Sequence, residues 1–109
     1  MMFPKREPVR SRKLREHANG QPCALCGRND GTTVLAHYTG LRQHQYGKGR
    51  GQKPDDHMAA ELCAECHRDM DRPERRKSEE ASEAFLHAIA VTWRRWINDG
   101  LIEIRGAEQ

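Results

Sequence analysis

Four cysteines restrict this chain more than any other feature. They form two identical pairs, Cys23-Ala-Leu-Cys26 and Cys63-Ala-Glu-Cys66, with 36 residues between the pairs. A two-residue gap lets one tight knuckle aim both sulfurs at one ion, and two such knuckles supply the four thiolates that Zn²⁺ prefers in a closed tetrahedral site. The fold must then bring residue 23 next to residue 66 and leave a long loop between them. An iron–sulfur cluster or a redox dithiol would use the same residues, but neither accounts better for the intervening segment. The composition makes a metal staple welcome. Only 36% of the 109 residues are apolar and 32% are charged, so burial alone gives a thin core. MMFPKREPVR carries no continuous apolar run of the kind an export signal needs, and no stretch approaches membrane-spanning length. The expected compartment is the reducing cytoplasm, where paired cysteines read as metal ligands.

Charge is unevenly distributed. Residues 1–17 and residues 41–53 each carry a local balance of +4, and the remainder of the +3 chain is therefore acidic. Two basic segments on a near-neutral body point to a polyanion partner, nucleic acid first among them. Residues 1–12, interrupted by Pro4 and Pro8, read as a flexible basic arm, and residues 13–109 as a single domain. A short helix is expected over 13–18, a β-leaning segment at TVLAHY (33–38), and a short helix after the second knuckle. Residues 39–56 hold four glycines and a proline and read as a long functional loop, with a short irregular strand inside it. From Ser78 to Asn98 apolar residues recur at three- and four-residue spacing, which predicts an amphipathic helix that packs Phe85, Trp93 and Trp96 inward and leaves Arg94 and Arg95 to solvent. Gly100 is placed to end it, and LIEIR (101–105) alternates like a short edge strand.

A second constellation overlaps the clip. His67 and Asp71 are spaced i, i+4 and share one helix face, so an imidazole nitrogen and a carboxylate oxygen can reach one divalent ion with open water positions. The ordinary alternative is a surface hydrogen bond. His37 lies on the segment after the first knuckle; a histidine of ordinary pKa is largely neutral at pH 7 and accepts a proton from water. Asp56 or His57 is a candidate to orient His37 or to complete the metal's surroundings, and His44, in the loop, to approach the metal or a phosphate. Arg42, Lys48, Arg50 and Lys53 interleave with glycines along the loop, where backbone and cation together can approach phosphate, and Tyr46 is placed to stack on a base. His17 and His87 read as surface or packing residues.

CALC, LAHY, a glycine-rich basic loop, the Lys53-Pro54-x-Asp56 segment, LCAECHRDMD and a closing tryptophan helix together resemble the HNH (ββα-metal) nucleases, and within them the small prophage-encoded YbcO type. The likeness covers roughly residues 13–105. It implies an α+β, treble-clef-like domain stapled by structural zinc on Cys23, Cys26, Cys63 and Cys66, with a C-terminal amphipathic helix and a short terminal strand. It also implies His37 as general base, His67 as ligand to a catalytic Mg²⁺ or Mn²⁺ with Asp71 as its carboxylate partner, and DNA as substrate, with no membrane and no small-molecule organic cofactor. Two departures stand out. Ala36 occupies a position where the family commonly has a coordinating Asp or His, and Asp56, His57 and Met58 stand where a middle Asn is usual. These leave two other readings open: a zinc-stapled DNA-binding module without catalysis, and a protein adaptor that presents the tryptophan helix.

Overall fold

A computed structural model describes residues 7–47 and 53–108. Its centre is one antiparallel pair, β1 (Val34–His37) and β2 (Ala59–Leu62), in the register Val34↔Leu62, Leu35↔Glu61, Ala36↔Ala60 and His37↔Ala59. A two-stranded ribbon is not stable alone, so helices must cover it. The long helix α4 (Glu79–Asn98) lies along β2, and α1 (Arg12–His17) packs against β1. The free edge of β2 is closed off. The Glu61 N–H donates to Thr92 Oγ1 of α4 (3.0 Å), and its carbonyl accepts from the Ala24 N–H of the first knuckle (2.7 Å). At Glu61 the edge is thus paired with α4 and the first knuckle rather than left open to a foreign strand.

Each helix begins where its sequence allows. Ser11 caps α1 and Ser78 caps α4, each side-chain oxygen accepting a backbone N–H of the first turn; Glu79 and Glu80 follow at the positive end of α4. Cys63 caps α2 (Ala64–Met70), so a sulfur of the clip also starts that helix. Pro73 opens the short α3 (Pro73–Arg76), where its missing N–H costs nothing. Helix α4 buries Ala81, Phe85, Ala88, Ile89, Thr92 and Trp96. Phe85 meets Tyr38 edge-on at 5.2 Å, in a core that also holds Ala36, Ala60, Leu62 and Met70. Trp93 stays about one-third exposed, its indole N–H donating to the His57 carbonyl (2.7 Å).

Three expectations need correction. Residues 101–105 are not a strand. Gly100 takes φ +74°, and the N–H groups of Gly100 and Leu101 turn back to the carbonyls of Ile97 and Trp96, a Schellman ending that leaves no partner edge for pairing. Arg95 is not simply solvent-facing, since it donates to the Pro22 carbonyl (2.6 Å) and to buried Glu61 (3.1 Å). In its described part the long loop contains a 3₁₀ turn, Gln43–Tyr46, while residues 48–52 of the stretch expected to hold an irregular strand lie outside the described residues. The arm is fastened in its described part: the Val9 N–H donates to Asp55, the Ser11 N–H to Asp56, and Arg10 to the carbonyls of Lys53 and Pro54. The signal for that docking is the buried Asp55–Asp56 pair, which needs donors from somewhere.

Candidate metal centre and active site

The four cysteines converge. Their sulfurs all lie within 4.8 Å of one another, and Cys26 Sγ is 3.8 Å from Cys63 Sγ. A tetrahedron with Zn–S bonds of about 2.3 Å has S···S edges of about 3.8 Å, so the donor set fits a metal such as zinc in both number and spacing. The knuckles are built for thiolate. Amide groups of Leu25 and Cys26 point at Cys23 Sγ, that of Arg28 at Cys26 Sγ, and that of Cys66 at Cys63 Sγ, all at 3.4–3.5 Å. Gly27 turns the first knuckle at φ +81°. Burial pushes the Cys23 thiol up, but the amides of Cys26, Cys63 and Leu25 outweigh it and bring it down to about 7. Burial and the neighbouring sulfurs push Cys66 up instead. Four such groups cannot all ionise side by side without a cation among them.

His37 leaves the end of β1 on the face opposite Ala36, which belongs to the core. Its Nε2 lies 2.8 Å from Asp56 Oδ1. Asp56 is 1% exposed and accepts three further contacts: the Ser11 N–H (2.7 Å), Arg15 (2.7 Å) and, more distantly, Arg10 (3.9 Å). Burial alone would raise its pKa. The hydrogen bonds from His37, Ser11 and Arg15 outweigh burial and hold it below the ordinary carboxylate value. An ionised carboxylate can only accept, so Nε2 carries a proton and donates it to Asp56. Arg10, Arg15 and the Ser11 amide are the parts of this arrangement that sequence reasoning missed; only the chain fold brings the arm to residue 56.

His67 and Asp71 meet as their spacing predicts, with Nε2 3.6 Å from Oδ2 on the exposed face at the end of α2. Arg76 holds the other side of Asp71: its guanidinium is 3.6 Å from Oδ1 and its Nε donates to the Asp71 carbonyl (3.1 Å). Among the described residues, the cysteines are the one group of three or more His, Cys, Asp or Glu side chains whose ligand atoms converge closely enough for an ion. His67 and Asp71 therefore form a two-membered couple. The two halves of the expected centre are held separately, His37 by Asp56 and His67 by Asp71, and Thr39 Oγ1 reaches the Met70 carbonyl (3.5 Å) to tie the chain just after His37 to α2.

The other expected residues divide. Arg42 and His44 line a cleft of about 600 Å³ with Asp71, Arg76 and Lys77. His57 instead lies beside Trp93, ring centroids 6.3 Å apart, on the α4 side. Lys53 is exposed, its carbonyl engaged by Arg10. Lys48 and Arg50 lie outside the described residues. His17 is no idle surface residue: it bridges buried Glu61 (2.5 Å) and Asp99 (2.7 Å).

A family model described as "Putative nuclease YbcO" matches residues 12–100. The chain belongs to the YbcO family. A relative of the same description from Escherichia coli (strain K12) is 35% identical over 98 residues, spanning 83% of this chain and 96% of the relative. A relative from Enterobacteria phage 82, also described as a nuclease of this name, matches with the same identity and coverage, which links the family to phage. Among solved structures, that of "a putative bacteriophage protein from Escherichia coli str. K-12 substr. MG1655" superposes with a TM-score of 0.57 at 30% identity, covering 81% of this chain and all of the other. The match to the YbcO family runs from α1 to just past the end of α4.

Proposed function

We propose that the protein is a metal-dependent DNA endonuclease of the HNH, treble-clef type, with structural zinc on Cys23, Cys26, Cys63 and Cys66. The observation that carries this is the His37–Asp56 hydrogen bond, because it gives a strand histidine the fixed tautomer a general base requires. Asp56 holds Nε2–H, and Nδ1 accepts the proton of a water as that water attacks phosphorus. Ser11 and Arg15 keep the carboxylate charged and in place. His67 and Asp71 are the residues that would hold Mg²⁺ or Mn²⁺, and Arg76 keeps Oδ1 of Asp71 occupied while Oδ2 turns toward His67. Bound there, a divalent ion supplies Lewis-acid stabilisation of the departing oxygen. The closed Cys₄ set has no open coordination position and acts by joining the knuckles.

The test is nicking of supercoiled plasmid DNA by the zinc-loaded full chain with Mg²⁺ or Mn²⁺. His37→Ala should lower the nicking rate by about 100-fold or more, the usual worth of a positioned base, and leave DNA binding unchanged. Undiminished nicking by this variant would remove His37 from the mechanism.

One observation favours the second reading, a DNA-binding module without turnover. The His67–Asp71 couple gains no third ligand among the described residues, and Ala36 offers none. Salt-sensitive binding with no nicking under any divalent metal is its expected signature. The adaptor reading requires tryptophans free to meet a partner: Trp96 is fully buried, and Trp93, about one-third exposed, has its indole N–H donated to the His57 carbonyl.

A further inference from the structure

The cleft between the loop after β1 and the α2–α3 junction has two built walls. On one side Gly40 sits so close to Tyr38 and Ser82 that an added Cβ would come within 2.5 Å of both side-chain oxygens. Ser82 Oγ accepts the Leu41 N–H (2.9 Å), and Tyr38 Oη donates to the Leu41 carbonyl (2.7 Å). The next residue, Arg42, takes φ +64°, the one non-glycine among the described residues in the left-handed region. Backbone strain of that kind persists where the surroundings impose it and clusters at functional sites. On the other side Pro73 opens α3, and Arg76 is locked onto Asp71. The lining carries Arg42, Arg76, Lys77 and His44 against one carboxylate, Asp71, which Arg76 already neutralises. Neither Arg42 nor Lys77 is in an ion pair among the described residues. Arg42 and Lys77 thus present two exposed cations in one cleft, next to the proposed ion couple, where both can face an anionic chain.

We infer that this cleft is a phosphodiester-binding subsite, in which Arg42 and Lys77 grip consecutive backbone phosphates of a DNA strand while Arg76 orients Asp71. The choice of DNA rests on the nuclease reading; the demand for a phosphate chain rests on the cleft itself. Arg76 and Lys77 lie in the PERRK run (73–77), which follows Asp71 and Arg72 in sequence.

The experiment measures binding of a fluorescein-labelled DNA duplex to the zinc-loaded full chain across a salt series, without added Mg²⁺ or Mn²⁺. Each phosphate contact removed should flatten the plot of log K against log salt by about 0.9, so the Arg42→Gln/Lys77→Gln pair should lose about two units of slope. Arg42→Gly should lose about one unit. It also relieves the left-handed strain, so its melting temperature should not fall, which separates a ligand contact from a structural role. Arg94→Gln, on exposed α4, is the control and should leave the slope in place. A double variant with the wild-type slope overturns the inference, as does an Arg94 variant that loses as much. Tighter binding of the RNA duplex of the same sequence overturns the assignment to DNA. Unchanged slopes with normal nicking sink only the cleft; reduced slopes with no nicking sink only the nuclease reading.

Discussion

Asp56 does two jobs with one carboxylate. It fixes the tautomer of His37 and it anchors the arm through Ser11 and Arg15. Asp56→Asn removes a buried acceptor of charged donors and should cost about 2 kcal/mol at neutral pH, read by urea denaturation. The folded pKa of Asp56 lies below its unfolded value, so its contribution is present above about pH 4 and is lost as pH falls through the folded value. The gap between wild type and Asp56→Asn should therefore close in acid; a gap independent of pH would mean the charge is not what stabilises. The same variant should nick more slowly than it binds. His37 and Asp56 are both legible in the sequence as polar residues near the right motif. The sequence offers Asp56 and His57 alike as partners to orient His37 and does not choose between them, because the choice is made by the ladder end at His37↔Ala59, across 18 residues of loop.

The knuckles and the strands depend on one another. The first knuckle hangs on β2 through the Ala24–Glu61 bond, and the second flows from β2 straight into α2. A thin core that relies on such a clip should be unfolded by removing its metal. Full loading should give one zinc per chain by elemental analysis, and a strong chelator should abolish the cooperative thermal transition, since binding energy at a site of this kind is folding energy. A chelated chain that melts as before would refute the structural role. Gly40→Ala tests the loop wall: with contacts of 2.5 Å to two side chains, it should cost about 1–3 kcal/mol through overpacking and should also weaken DNA binding. The sequence makes α4 and the clip plain, because 3.6-residue periodicity and paired CxxC are local signals. It hides β2, whose AAEL lacks the β-branched residues that mark strands and is held in place by α4 and the clip.

His17 joins three distant parts of the molecule: α1, the buried Glu61 of β2 and Asp99 at the end of α4. Burial lowers its pKa, but the carboxylates of Asp99 and Glu61 more than reverse this and the net shift is upward. Its stabilising effect is thus full below about pH 6.5 and fades as pH rises through the folded value. The melting temperature of the wild type should fall through that window, and His17→Gln should flatten the profile; parallel profiles would rule the bridge out as a source of stability. A lone histidine on a six-residue helix gives no hint of this in sequence, since both partners are remote, at residues 61 and 99. The ladder itself carries one more consequence. Because the chain leaves the pair at His37 and returns at Ala59, everything between departs from and re-enters almost the same spot. Doubling the length of such an excursion costs only about 0.6 kcal/mol, so descendants can trade, stretch or prune its outer portion while the packed positions Gly40 and Asp56 stay put. On the nuclease reading proposed above, target choice is in this way free to drift while His37 and Asp56 keep their places.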